Sequence, residues 1–161
     1  MKISVSIVWF KRDLRVHDHA ALSAARADGS PILPLYVIEP DYWRQPTASR
    51  RHWHFVHDCL IELREDCAFL GQSLVVRTGT IIDVFNAISN EYIIKGIYAH
   101  EETSNLWGYQ RDEGVRNWCR AQAIEFHEYP TNGIVRCLRH RDDWARLRNQ
   151  RMAAPLMPKP D

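Results

Sequence analysis

The strongest constraint on this fold is an alternation. Short runs rich in β-branched and aromatic residues follow one another, each separated from the next by a segment with helical periodicity. Residues 3–10, Ile-Ser-Val-Ser-Ile-Val-Trp-Phe, read as the first strand. Residues 18–28 follow as a short Ala-rich helix that Gly29 is placed to end. Pro31 to Ile38 is the second apolar run, and a loop carrying Glu39-Pro40-Asp41-Tyr42-Trp43 leaves it. Residues 49–70 give the clearest helix, in which Trp53, Val56, Leu60, Leu63, Cys67 and Leu70 make one apolar stripe and Gly71 supplies a stop. Ser73 to Arg77 is a third strand, and Thr80 can cap a helix to about Tyr92 with Ile81, Phe85 and Ile88 inward. Gly96 to Ala99 is a fourth strand, and Ile124 to Tyr129 a fifth. Between them residues 105–122 form a helix with Leu106, Val115, Trp118 and Cys119 as core contacts.

Strands that alternate with helices predict an α/β fold, a doubly wound five-stranded parallel sheet covered by helices on both faces through right-handed crossovers. Ligands of such Rossmann-like sheets sit at the carboxyl ends of the strands, near a topological switch point. The loops after Phe10, Ile38 and Ala99 therefore carry the candidate site. The layout alone does not choose the ligand.

A chain of 161 residues fits one domain, and 45% hydrophobic content is enough for a sizeable core. A net charge of +1 excludes a global basic field for nucleic acid. No apolar run approaches the roughly 18 residues of a membrane helix, and the first residues lack a secretory leader pattern, so a cytoplasmic home is the default. Cys59, Cys67, Cys119 and Cys137 form no C-x-x-C pair, which favours free thiols over a zinc or redox motif. His17-x-His19 and His52-x-His54 invite a metal reading, but residues two apart on a helix point in nearly opposite directions, so no metal ligand is assigned. Nor is there a glycine-rich phosphate loop, a Ser-His-Asp context or a paired-carboxylate motif, and no catalytic residue is assigned.

The tail differs in character. Residues 136–151 hold six arginines against two aspartates, and residues 153–161 contain Pro155, Pro158 and Pro160. Residues 1–135 are expected to form the α/β domain, and residues 136–161 to begin a linker.

One segment is specific. Val8-Trp9-Phe10-Lys11-Arg12-Asp13-Leu14-Arg15-Val16-His17-Asp18-His19-Ala20-Ala21-Leu22 lies just past the carboxyl end of the first strand. It resembles the opening signature of the DNA photolyase/cryptochrome family, roughly W-F-R-R-D-L-R-x-x-D-N-x-A-L, with Lys11 for the usual first arginine and His19 for the usual asparagine. Pro34-Leu35-Tyr36-Val37-Ile38-Glu39-Pro40-Asp41 is similar to the family's second strand and following loop, and Gln110-Arg111-Asp112 fits its later helix entry. The wording His100-Glu101-Glu102-Thr103 to Trp107 looks closer to a bacterial, deoxyribodipyrimidine photolyase-like subgroup than to the best-known enzymes. The likeness weakens after Gly133, where familiar members carry Y-x-V-F-x-P-F.

The resemblance implies the N-terminal, antenna-binding domain of a longer flavoprotein. In full-length photolyases a C-terminal helical domain holds FAD and damaged DNA, and excited reduced FAD splits pyrimidine dimers by electron transfer after base flipping. This segment alone is then no enzyme. It houses the antenna chromophore, which in the family is methenyltetrahydrofolate, 8-hydroxy-deazaflavin or FMN. A cryptochrome photoreceptor without repair is the first alternative, and a stand-alone nucleotide-binding module the second. Cofactor contacts are expected from Phe10, Lys11, Arg12, Asp13, Val37, Glu39, Arg50, Arg51, Glu101 and Glu102. Arg50 or Arg51, at a helix N-terminus, can pair with a phosphate or carboxylate. Glu101 and Glu102 can accept from a pterin or flavin edge, or equally cap the helix near Ser104. Arg12, Asp13 and Arg15 can instead form a salt-bridge network that only stiffens the loop. The arginine-rich stretch suits a DNA-backbone patch, a docking face for the chain's own FAD domain, or a helix that satisfies its own dipole.

Overall fold

The computed structural model of the chain describes residues 2–160. Five strands form one all-parallel sheet: β1 Ser4–Phe10, β2 Ile32–Ile38, β3 Val75–Thr78, β4 Ile93–His100 and β5 Glu125–Tyr129, in the order β3-β2-β1-β4-β5. Between them run α1 Ala20–Ala27, α2 Pro40–Trp43, α3 Arg50–Phe69, α4 Ile81–Glu91 and α5 Leu106–Ala121. A 3-10 turn at Arg141–Asp143 leads into α6 Trp144–Met152. The doubly wound fold class expected from the alternation is the observed one.

Period-two alternation divides the core. Ile7 and Trp9 of β1 face α4 and α5, packing with Ile81, Phe85, Ile88, Val115 and Cys119. Val8 and Phe10 face the other way, against Ala21, Leu22 and Ala25 of α1 and Leu63 and Cys67 of α3. Fully buried aromatics such as Trp9, Phe10 and Phe85 each contribute on the order of 1.5–3 kcal/mol by leaving water. Helices stop where the backbone turns left-handed: α1 and α3 run out at Gly29 and Gly71, with φ of 76° and 79°.

Three local expectations change. The loop expected after β2 contains the four-residue α2, because Pro40 at its first turn has φ preset for a helix and lacks the N–H that would go unpaired. The α3 stripe is buried only at Leu63 and Cys67, while Trp53, Val56, Leu60 and Leu70 are half-covered. The N-terminal half of α3 borders a cleft rather than the sheet, which accounts for this. Leu106, expected in the core, is 69% exposed at the first position of α5.

The tail packs back on the sheet's carboxyl end. Arg136 Nη2 donates to Glu128 Oε1 at 2.9 Å and to Glu101 Oε1 at 3.4 Å. Further on, Asp18 N donates to Met157 O at 3.0 Å and Met157 N to Asp18 Oδ1 at 3.1 Å, while Lys159 reaches Asp66 of α3 at 3.0 Å.

Candidate functional site

The strand order reverses between β1 and β4, and the loops that diverge there open a cleft at the carboxyl ends of the strands. Its volume is about 710 Å³, within the size range of sites for small organic ligands. β1 and its loop supply the floor with Trp9, Phe10, Lys11 and Arg12. β2 and α2 add Tyr36, Val37, Glu39, Tyr42 and Trp43, and α3 closes the far side with Arg51, His52 and Phe55. Glu102 and Arg111 come from the β4–α5 side.

Arg111 organises the polar end of this cleft. Its guanidinium donates to Glu39 Oε2 at 2.8 Å, Asp112 Oδ1 at 2.9 Å and Glu102 Oε2 at 3.2 Å. It also lies 4.8 Å from the Trp9 ring centre and 5.5 Å from that of Trp107. Asp112 is fully buried and takes Lys11 Nζ at 2.7 Å on its other oxygen. Two cations and three carboxylates thus form one interior network, in which no charge lacks a partner. Burial pushes the Glu39 carboxyl above its ordinary range despite the opposing charge of Arg111. Burial pushes Glu102 the same way but loses: hydrogen bonds from Ser104 and the charges of Arg111 and Lys11 hold it below its usual value. Glu102 Oε1 accepts from the backbone of Thr103 and Ser104, each at 2.9 Å, so it does shape the turn into α5.

The aromatic wall is contiguous. Tyr42 meets Trp43 edge-on at 5.1 Å, and Trp43 meets Trp53 at 5.1 Å. Trp43 lines the cleft, while its Nε1 is buried behind the ring face without a hydrogen-bond partner.

A second, more polar hollow lies across the β1–α1 loop, lined by Asp13, His100, Glu101 and Asn132, among others. Asp13 does not join Arg12 and Arg15 in the ion network that the sequence suggests. Its Oδ1 accepts from the backbone of Lys11 at 2.8 Å and Arg12 at 3.1 Å. Its Oδ2 meets His100 Nδ1 at 2.5 Å and His19 Nε2 at 2.8 Å, the latter off the line of a well-aligned hydrogen bond. Arg15 instead donates to the carbonyls of His17 and Asp18, because a buried carboxylate is reached more readily by buried imidazoles than by an exposed guanidinium. Burial would raise the Asp13 carboxyl, but the His100 and His19 contacts win and hold it well below its ordinary range.

Asp13, His19 and His100 offer ligand-type atoms within 4.8 Å of one another. Their chemistry does not suit a metal ion. His19 Nδ1 accepts from Leu22 N at 3.0 Å, so its Nε2 keeps the proton of the neutral ring. A metal there would require an imidazolate, whereas ligating histidines ordinarily donate from the other nitrogen.

Of the residues expected from sequence, Phe10, Lys11, Arg12, Val37, Glu39, Arg51 and Glu102 line the main cleft. Asp13 and Glu101 line the second hollow, which Lys11, Arg12 and Glu102 share. Arg50 is exposed and borders neither. Sequence reasoning did not assign Arg111, Asp112 or His100, nor the aromatic wall of Tyr36, Tyr42 and Trp43. Asp112 carried a signal, a carboxylate three and seven positions before the apolar Val115 and Cys119 and so on the buried stripe of α5. The partnership of His19 with His100 carried none, since they are far apart in the chain.

The family profile described as DNA photolyase matches residues 6–155. The chain belongs to that family. Its likeness to solved structures covers 99% of the chain with a Synechocystis cryptochrome (TM-score 0.82, 20% identity, 36% of that chain). A class III photolyase from Agrobacterium tumefaciens gives a TM-score of 0.78 at 19% identity, over 99% of this chain and 35% of that one. An archaeal photolyase from Sulfolobus tokodaii, solved with two FAD molecules, gives 0.79 at 23%, over 96% and 36%. Among curated proteins, the chloroplastic/mitochondrial cryptochrome DASH of Arabidopsis thaliana is 30% identical over 62% of this chain, a stretch spanning 18% of that protein. The Arabidopsis blue-light photoreceptor PHR2 is 34% identical over 62% of this chain and 24% of its own length. The chain therefore spans only a fraction of the relatives it matches, and corresponds to the N-terminal domain of the family. No helix among the described residues is long and apolar enough to cross a membrane.

Proposed function

We propose that the cleft holds a planar conjugated heterocycle that harvests light for a flavin bound elsewhere in a longer protein. The aromatic wall of Tyr36, Tyr42 and Trp43 at a switch-point cleft carries this reading. Rings of this kind stack on a flat ligand. The bound group would absorb light and pass its excitation on. That task makes and breaks no bond, so the domain has only to hold the ligand in one orientation. The Arg111 network suits this work, because it ties β1, the β2–α2 junction and α5 into one rigid floor. Arg51 and Arg12, both exposed at the rim, suit an anionic tail, and methenyltetrahydrofolate, 8-hydroxy-deazaflavin and FMN are the candidates.

In the longer protein we assign the light-driven splitting of pyrimidine dimers, with FAD in a C-terminal helical domain and damaged DNA as partner, residues 136–161 beginning the connection to that domain. A blue-light photoreceptor is the second reading, favoured by the cryptochrome and photoreceptor names of the curated relatives. Fluorescence titration of the protein with each of the three chromophores tests the cleft. Binding of one of them, weakened about tenfold (about 1.4 kcal/mol) by Trp43→Ala, is expected. No binding by any, or binding indifferent to Trp43→Ala and Arg51→Ala, overturns it. Light-dependent dimer repair by the full-length protein separates the two physiological readings.

A further inference from the structure

We propose that Asp13, His19 and His100 form an acid-sensitive latch: a proton added to His19 uncaps α1 and frees the β1–α1 loop that floors the cleft. The proposal does not depend on which ligand the cleft takes.

The latch follows from how the two ring nitrogens of His19 are spent. His19 is the N-cap of α1, and its Nδ1 accepts from Leu22 N at 3.0 Å. The ring's own proton therefore sits on Nε2, facing Asp13. A second proton has one place to go, Nδ1, where the Leu22 N–H already points. Two N–H groups cannot face each other at that distance. The cation must therefore rotate or the first turn of α1 must open. The site gives it little room: the side chain is fully buried, Phe10 packs 4.9 Å from the ring centre and the His100 ring 4.4 Å away.

Asp13 carries the disturbance outward. One oxygen binds both imidazoles and the other pins the backbone of Lys11 and Arg12, so one carboxylate joins α1, the end of β4 and the loop. The charged groups around the cluster are already committed. Lys11 Nζ belongs to Asp112 of α5, and Glu102 to Arg111 of the same helix. Glu101 is paired with Arg136 and lies 3.9 Å from Arg151 of α6. Arg15 is held on the loop by the His17 and Asp18 carbonyls, beside the Asp18 carboxylate, while the exposed Arg12 guanidinium borders the hollow. None of these neighbours is an imidazole, so His19 is the group whose charge changes as pH falls below neutral.

Burial lowers the affinity of His19 for a proton; Asp13 opposes this, and the charges of His100 and Arg15 reinforce it. The native value thus lies below the ordinary one of about 6.5. The opened form takes up the proton first, and the latch weakens as pH falls from about 6.5 towards the native value, by about tenfold in the opening constant per pH unit. In the signature this chain resembles, asparagine stands at this position. An amide can accept from Leu22 N and donate to Asp13 without titrating.

Amide hydrogen exchange on the chain, read as protection factors at pH 7.5 and 5.5, tests the latch. Protection of Leu22 should fall several-fold, to a limit of about tenfold, relative to Val8 in β1, and His19→Asn should abolish that fall. Imidazole nitrogen shifts of the unsubstituted chain should show His19 as the Nε2–H tautomer at pH 7.5. Constant protection at Leu22, an equal fall in His19→Asn, or an Nδ1–H tautomer overturns the proposal. Should His19→Asn not fold, Leu22 protection and the tautomer in the unsubstituted chain decide it.

Discussion

Replacing Arg111 by methionine tests the interior network most directly. The side chain is 11% exposed, keeps much of its volume on substitution and loses only its charge and donors. Three carboxylates then share Lys11, which already belongs to Asp112. Removing one partner of a buried ionic cluster costs about 3–5 kcal/mol, because the charges left behind remain desolvated. The two contacts with Trp9 and Trp107 add about 0.5–1 kcal/mol each when lost. Against a total of about 5–15 kcal/mol for a domain, the variant should sit near the edge of folding at neutral pH. The deficit must also depend on pH. Burial already holds Glu39 above its ordinary range, and removing Arg111 raises it further. A carboxyl raised in the native state binds a proton there first, so stability falls as pH rises through that value and the deficit is smaller at pH 5 than at pH 8. Urea unfolding of Arg111→Met at both pH values, with and without Glu39→Gln, measures this. A deficit below about 1 kcal/mol, or one neither relieved by acid nor partly recovered by Glu39→Gln, would refute the account of the network.

Two glycines of α5 should respond with opposite signs to alanine. A Cβ on Gly108 would lie 2.7 Å from Glu102 Cγ, whose carboxylate is held at its far end, so Gly108→Ala should destabilise by up to about 2 kcal/mol after the gain in helix propensity. Gly114 has open space, and Gly114→Ala should stabilise by up to about 1 kcal/mol in the same urea series. Thiol labelling should proceed in order of exposure: Cys137 first, then half-buried Cys59, with Cys67 and Cys119 labelled only on unfolding, since burial pushes both thiols up to about 11. Mass spectrometry of a time course checks the order.

The sheet was readable because each strand's apolar run and each helix's periodicity are local properties. The loops of the site were readable for a related reason: strand polarity alone says which ends gather. The partners within the site were not readable in that way. Lys11 meets Asp112 across 101 positions, and Asp13 meets His100 across 87. Such pairings depend on the crossover geometry, which brings the end of β4 beside the end of β1. Arg50 and Arg51 show the limit at close range. Helix capping places both at the start of α3, yet only the second turns into the cleft, because neighbours on a helix differ in direction by about 100°. Asp13 and Arg15, two apart on one loop, look like an ion pair on paper. Of the competing imidazoles, His19 closes the same loop and His100 comes from the end of β4.

The strand order has a consequence for synthesis. β1, made before the other four strands of this sheet, ends in its middle, with β2 on one side and β4 on the other. Its floor residues acquire one wall early, when β2 and α3 arrive. The other wall waits for Arg111 and Asp112 of α5, about a hundred positions later. Spatial order and birth order run against each other here, and such pairings between distant segments form slowly. A nascent chain stopped before α5 can fold its first helices and still have no pocket. The cleft is thus completed only with the emergence of α5, long after that of the signature that follows β1.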